Sequence, residues 1–328
     1  MKNIEVSIVI PIYNVEHYIA KTIESVQHQD FELYEIILVD DGSRDNSGVI
    51  CDQYALNDSR IVAIHQANGG VMSARFAGVG AARGKYIAFL DGDDRMPPSA
   101  LSCLYKAMIE NDVDYVAGVC IDIDIEGHRL NDVVYGPHFK GILSGNRLYR
   151  SFIAKNPKGM NMKLYKKELL VKEPQIKIPP FIKNNEDFIF NLFLASKIHK
   201  VLAIDDIVAH IVERPGSASR VTYDVNYWLK LFTWMDENYK NYDIYDDDYI
   251  QYKLFIIFVK LIRPCQNFDI RNSCFDNVRK TAYKKKFGRN CLFSMFVIKH
   301  PILIYPLKLI RYVYKRWKKI RTLLTNKT

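Results

Sequence analysis

The first 120 residues repeat one pattern four times. A short, nearly continuous apolar run is followed by a segment with helical periodicity. The runs are residues 6–11 (VSIVIP), 35–39 (EIILV), 60–65 and 85–90 (KYIAFL). Strands that are apolar throughout, rather than alternating, belong in sheets covered on both faces. Strand–helix repetition makes such a sheet parallel. The helical segments fit. Ile19, Ile23 and Val26 recur on one face, residues 46–56 form a second helix, and residues 73–82 a third with small Ala74, Ala77, Gly78 and Ala81. Asn14 stands where it can cap the first helix.

Ligands of open parallel sheets bind beyond the carboxyl ends of the strands. The residues there are Pro11-Ile12-Tyr13-Asn14, Asp40-Asp41-Gly42-Ser43 and Asp91-Gly92-Asp93-Asp94. Three carboxylates in four residues repel one another unless a positive charge joins them. Hard divalent cations take oxygen ligands, and Mg²⁺ or Mn²⁺ uses one or two carboxylates plus substrate phosphates. Gly92 tightens the turn so that Asp91 and Asp93 face one ion. The alternative is a solvated acidic turn, with Asp94 capping the helix after Pro97-Pro98. Asp40-Asp41-Gly42-Ser43 likewise reads two ways. It is an Asx-type turn, or it supplies a carboxylate that accepts the ring N–H of a uracil.

Three blocks in order carry a resemblance: SIVIPIYNVEHYIAKTIESVQHQ, EIILVDDGSRDNS and NGGVMSARFAGVGAARGKYIAFLDGDD. Together they resemble the donor-binding half of glycosyltransferase family 2, bacterial surface-polysaccharide type. The resemblance implies an α/β GT-A fold: a mostly parallel, Rossmann-like sheet flanked by helices. It implies donor-site roles for Pro11, Tyr13, Glu16, Asp40, Asp41, Asn68, Arg75 and Asp91. It also implies Mn²⁺ or Mg²⁺ on Asp91 and Asp93. Arg75 would face the donor phosphates or nucleoside; otherwise it is a surface residue of an Ala/Gly-rich helix. Asn68-Gly69-Gly70 is a flexible turn, or a loop whose backbone approaches the donor.

The second half, MNMKLYKKELL and EDFIFNLFLASKIHKVLAIDD, resembles the family more weakly. There the pair Glu186-Asp187 is implied to supply the catalytic base, Asp187 foremost. Read locally, Asn184, Asn185 and Asp187 are helix N-terminal residues before an apolar run. His210, with Arg214, Ser217 and Ser219, stands near a segment that folds over the donor in relatives. A neutral surface histidine is the other reading.

The expected organisation is a GT-A domain over residues 1–220, with a donor half (1–95) and an acceptor half (96–220). A helical C-terminal region is expected over residues 221–328. Residues 112–140 read as strands with a hairpin or loop, and helices are expected near 145–154 and 186–196. The net charge of +9 resides at the C-terminus: residues 279–328 hold fifteen Lys and Arg and no Asp or Glu. Within residues 308–324 these alternate with Leu, Ile, Tyr and Trp. That pattern suits a basic amphipathic helix on an anionic membrane surface, or else a solvated helix with an ordinary core face.

No recognition module points to nucleic acid. The six cysteines show no CxxC or His/Cys spacing for zinc. The N-terminus lacks signal-peptide character, and no segment reaches the ~18 apolar residues of a span. These features point to a cytoplasmic protein, peripheral at the inner face of the cell membrane. The expected partners are a nucleotide-sugar donor and a glycan or lipid-linked glycan acceptor. The expected reaction is metal-dependent, inverting transfer from a UDP-sugar to a glycan hydroxyl. A non-catalytic nucleotide-sugar-binding or membrane scaffold protein is one alternative. A sugar nucleotidyltransferase is another, but it needs a Gly-rich loop where this chain has Pro-Ile-Tyr-Asn.

Overall fold

The computed structural model describes residues 3–137, 139–145, 159–161, 163–171, 178–183, 186–195, 197–214 and scattered positions between 227 and 238. The chain divides into two units, Met1–Val221 and Thr222–Thr328. The sheet and the candidate site both belong to the first unit. The expected helix near 145–154, Asn184, Asn185, Ser217, Ser219 and the basic tail lie outside the described residues.

Among the described residues one nine-stranded sheet organises this unit, in the order β3-β2-β1-β4-β8-β5-β9-β7 with β6 paired to β5. Strands β1 (Val6–Ile12) and β2 (Tyr34–Asp40) are buried along their whole length, as their nearly continuous apolar character favours. Strand β1 pairs in parallel with β2 and with β4 (Tyr86–Phe89), and β2 pairs in parallel with β3 (Ile61–His65). The register sets Ile12 beside Asp40 and Asp40 beside His65. The turns after β1, β2 and β4 therefore open at one edge.

Helix α1 (Ile19–Gln27) buries Ile19, Ile23 and Val26 against the sheet. Helices α2 (Ser47–Asn57) and α3 (Val71–Ala81) follow β2 and β3. Gly78 lets α3 sit close: a Cβ there would meet Val9 Cγ1 at 2.3 Å and Val39 Cγ2 at 3.2 Å. Helix α4 (Ala100–Asn111) buries Leu101, Leu104 and Met108.

The parallel part ends at β4. Strand β8 (Lys163–Lys166) is antiparallel to both β4 and β5 (Tyr115–Ile123), so the sheet as a whole is mixed. Strand β5 forms a hairpin with β6 (Arg129–Tyr135), closed by Asp124 Oδ1 accepting from the Gly127 and His128 amides, both at 2.8 Å. Strand β9 (Lys200–Val212) runs parallel to β5, and β7 (Gly141–Ser144) covers its far edge. Two short helices complete the described part of this unit, α5 (Lys167–Val171) and α6 (Glu186–Ala195). No helix among the described residues is long and apolar enough to cross a membrane.

The expected Asn14 cap does not form, and neither does the Asp94 cap of the alternative reading. Helix α1 starts after Tyr18, with no side-chain cap. Asn14 instead takes a positive φ of 52° and accepts the Arg44 amide at 2.8 Å, so it joins two loops. Helix α4 starts after Ser99. Asp94 is turned inward, because the β4 turn is folded against β9.

Candidate active site

The loops after β1 and β2 hold one another. The Asn14 amide donates to Ser43 Oγ at 3.1 Å, and the Glu16 amide to Asp45 Oδ2 at 3.1 Å. Glu16 Oε2 accepts both the backbone amide and Nδ2 of Asn46 at 2.8 Å. Glu16 thus staples the loop after β1 to the loop after β2. Pro11 is buried within β1 and shapes the strand end, whereas Tyr13 is 45% exposed.

Asp40 and Asp41 differ in their work. Asp40 Oδ1 accepts the Ser43 amide at 3.0 Å, and Oδ2 lies 3.1 Å from His65 Nδ1. His65 Nε2 in turn lies 2.9 Å from Asp52 Oδ1. Hydrogen bonds to Asp52 and Asp40 push the His65 imidazole above its ordinary pKa. Asp41 organises the next loop. Its Oδ1 accepts Gln66 Nε2 at 2.6 Å and the Gly69 amide at 2.8 Å, and its Oδ2 accepts the Gly70 amide at 2.8 Å. Gly70 enters α3 at φ 87°, a backbone conformation that disfavours side chains. Asn68 is exposed, its backbone nitrogen packed against Gly42.

The acidic turn lies beside the end of β1. A Cβ on Gly92 would stand 3.1 Å from the Pro11 carbonyl oxygen, so glycine permits the approach. Two of its three carboxylates share the Asn161 amide, and the third has its own partner. Asp91 Oδ1 receives Arg75 Nη2 at 2.7 Å, and Oδ2 receives Asn161 Nδ2 at 3.1 Å. Asp93 pairs with Arg214 Nε. Asp94 Oδ2 accepts Asn161 Nδ2 at 2.7 Å, and Oδ1 accepts the Val212 amide at 3.0 Å. Burial, and then the neighbouring carboxylates, raise Asp93 above the usual carboxylate range and Asp94 well above it. Burial disfavours the charged form, and like charges add to that cost.

Arg75 is not on the surface. It is 2% exposed, and its guanidinium forks between two carboxylates: Nη2 to Asp91, and Nη1 to Asp187 Oδ1 at 2.9 Å. A planar fork on a permanent cation suits this bridge. Arg75 Nε is buried with no hydrogen-bond partner among the described residues.

Asp187 and Glu186 open α6. Burial, then the Asp187 charge, push Glu186 up to about 7, with Arg75 opposing. Behind Asp187 lies Gly159, where a Cβ would stand 2.4 Å from Asp187 Oδ2. The Gly159 carbonyl accepts Lys163 Nζ. Burial drives the Lys163 amine down to about 7.

His210 contributes through its backbone, exchanging hydrogen bonds with Arg95 at 3.0 and 2.8 Å. Burial, then Arg95, lower its imidazole. Asn161 and Lys163 escape a reading of the sequence alone. Their one signal is a polar pair, MNMKLY, amid apolar neighbours at the start of a strand.

The donor set fits a hard divalent cation. Asp91 and Asp93 offer carboxylate oxygens, and Asn161 Oδ1 beside them is a buried acceptor with no partner among the described residues. No group of three or more His, Cys, Asp or Glu able to hold an ion occurs among those residues. Two carboxylates completed by phosphate oxygens and water is how Mg²⁺ is usually bound.

Residues 7–166 match the model of Glycosyl transferase family 2. Those residues belong to that family. A relative of 49% identity over 111 residues is the uncharacterized glycosyltransferase EpsJ of Bacillus subtilis, with 34% of this chain and 32% of that one aligned. The poly(ribitol-phosphate) beta-glucosyltransferase of Bacillus spizizenii is 34% identical over 226 residues, 67% of this chain and 34% of that one. The chain thus spans about a third of the length of these curated relatives. Among solved structures, Staphylococcus aureus TarS 1–349 in complex with UDP-GlcNAc superposes with a TM-score of 0.59 at 19% identity. That match covers 82% of this chain and 74% of that one. The fold is GT-A.

Proposed function

We propose that this chain transfers a sugar from a UDP-sugar to a hydroxyl of a glycan acceptor in surface polysaccharide or teichoic acid biosynthesis, with inversion. One observation carries the reading. A single buried guanidinium holds Asp91, on the diphosphate side, and Asp187, the candidate base, at one edge of the sheet. A single in-line displacement needs a base on one side of the anomeric carbon and charge stabilisation at the leaving group on the other.

In this scheme Asp187 accepts the proton of the attacking hydroxyl. Asp91 and Asp93 would hold Mn²⁺ or Mg²⁺, which would supply Lewis-acid neutralisation of charge on the diphosphate. Tyr13, Asp40, Asp41 and Asn68 line the nucleoside end. The relatives' names support the acceptor class, and the TarS complex with UDP-GlcNAc supports a uridine nucleotide. The basic, aromatic tail supports peripheral contact with an anionic membrane, at the cytoplasmic inner face.

The test is titration calorimetry with UDP, GDP and dTDP, with and without Mn²⁺, on wild type and Asp93→Ala. Micromolar UDP binding that needs both the metal and Asp93 is the expected result. Absence of metal-dependent binding to any of the three nucleotides would overturn the reading.

A further inference from the structure

The Asp93 carboxylate pairs with a cation of its own chain, the Arg214 guanidinium, through Nε and Oδ2. The pair is largely enclosed, with Arg214 22% and Asp93 20% exposed. The guanidinium carbon also lies 5.2 Å from the centroid of the Tyr18 ring, which orients the plane of the fork. Arg214 is not held there by chance of its long side chain alone. The segment before it is fastened to the acidic turn three times. The Arg95 and His210 backbones exchange hydrogen bonds at 3.0 and 2.8 Å, and the Val212 amide donates to Asp94 Oδ1 at 3.0 Å. Two residues past Val212, the chain delivers a positive charge to the carboxylate next along the turn.

The neighbouring carboxylate is treated differently. Asp91 has Arg75, but that guanidinium is 2% exposed and is committed to Asp187 as well. Arg75 therefore stays when an ion arrives. Arg214 reaches Asp93 from the edge of the site and forks to no second carboxylate among the described residues, and so is the replaceable partner.

We infer that Arg214 is a built-in counter-ion that competes with the divalent cation for Asp93 and thereby sets how tightly this chain binds metal before a nucleotide is present. This rests on the reading of Asp91 and Asp93 as the metal pair. The physical reason is exclusion. A carboxylate oxygen shared with a guanidinium in a poorly hydrated setting is not available to a small ion until that pair breaks, and breaking it leaves a cation close to the incoming one. Free ion is then disfavoured. Ion arriving with the negative charge of a diphosphate is favoured, because the freed guanidinium keeps an anion nearby. Arg214 accordingly acts on affinity and on order of binding, without touching the reacting atoms.

The test measures Mn²⁺ alone, without nucleotide, by Mn²⁺ electron paramagnetic resonance on the full chain, for wild type, Arg214→Met, Arg214→Lys and Asp93→Asn. Arg214→Met should bind Mn²⁺ at least tenfold more tightly than wild type, and Arg214→Lys should stay within about threefold of it. Asp93→Asn should lose the ion. Thermal melting checks that each variant is folded. If Arg214→Met is misfolded, Arg214→Gln takes its place with the same expectation. Equal or weaker binding by the neutral variants, with Asp93 still required, overturns the counter-ion role and leaves the metal reading standing. Binding unaffected by Asp93→Asn, or no binding by any variant, overturns both.

Discussion

Arg75 Nη1 lies 2.9 Å from Asp187 Oδ1, joining α3 to the start of α6 across 112 residues of sequence. The same guanidinium holds Asp91, so the two ends of the proposed displacement share one rigid partner. Arg75 is a positioning residue in this arrangement, whereas the family resemblance assigns it to the donor phosphates or nucleoside.

Arg75→Met should therefore destabilise the domain. Removing one partner of a buried pair costs about 3–5 kcal/mol. Asp91 and Asp187 remain 38% and 30% exposed, so solvent softens the loss to about 2 kcal/mol. Arg75→Lys keeps the charge but not the fork, and should lose turnover more than stability. Chemical denaturation and initial rates together separate the two.

Asp187→Asn removes the proton acceptor while preserving shape. Turnover should fall by about 10²–10⁴, with UDP affinity in the presence of Mn²⁺ unchanged. A parallel loss of affinity would show that Asp187 acts through Arg75 on the donor side instead.

Asp41→Asn replaces an acceptor by an amide that offers donors to donors. Three N–H groups converge on this carboxylate. At least one is left unpaired, at a cost of about 1–3 kcal/mol. The loop at Gly69 and Gly70 should loosen, read as faster amide exchange there and weaker UDP binding.

Lys163 gives a pH signature. Its amine is depressed by burial from 10.5 to about 7. A depressed group lends stability that is present above its unfolded pKa and is lost as pH falls toward the folded value. Between pH 10 and pH 6 the wild type should lose stability from this source, and Lys163→Met should not. Urea unfolding across that range should show the variant gaining on wild type as pH falls. A constant gap would place the Lys163 charge in solvent.

Much of the fold of residues 5–95 was legible from the sequence because its signals are local. Unbroken apolar runs marked the parallel strands, and the breaks in those runs located the acidic turns at one edge of the sheet. The two failed helix caps share a cause. Asn14 and Asp94 have the chemistry of caps, but each found a partner elsewhere: Arg44 for the first, Asn161 and Val212 for the second. A side chain that can satisfy two kinds of donor is assigned by proximity, and proximity is tertiary.

The residues the sequence left unassigned follow the same rule. Lys163 and Asn161 read as strand-end polar residues until β8 inserts antiparallel beside β4 and carries them under the Asp91 turn. By itself, the sequence determined the first four strands, the helices between them and the acidic turn, since backbone preference and hydrophobic period act over a few residues. Only the tertiary structure decided which cation meets which carboxylate: Arg75 with Asp91 and Asp187, Arg214 with Asp93. Those pairings depend on charges brought together from 16 to 121 residues apart, where desolvation makes each choice of partner consequential.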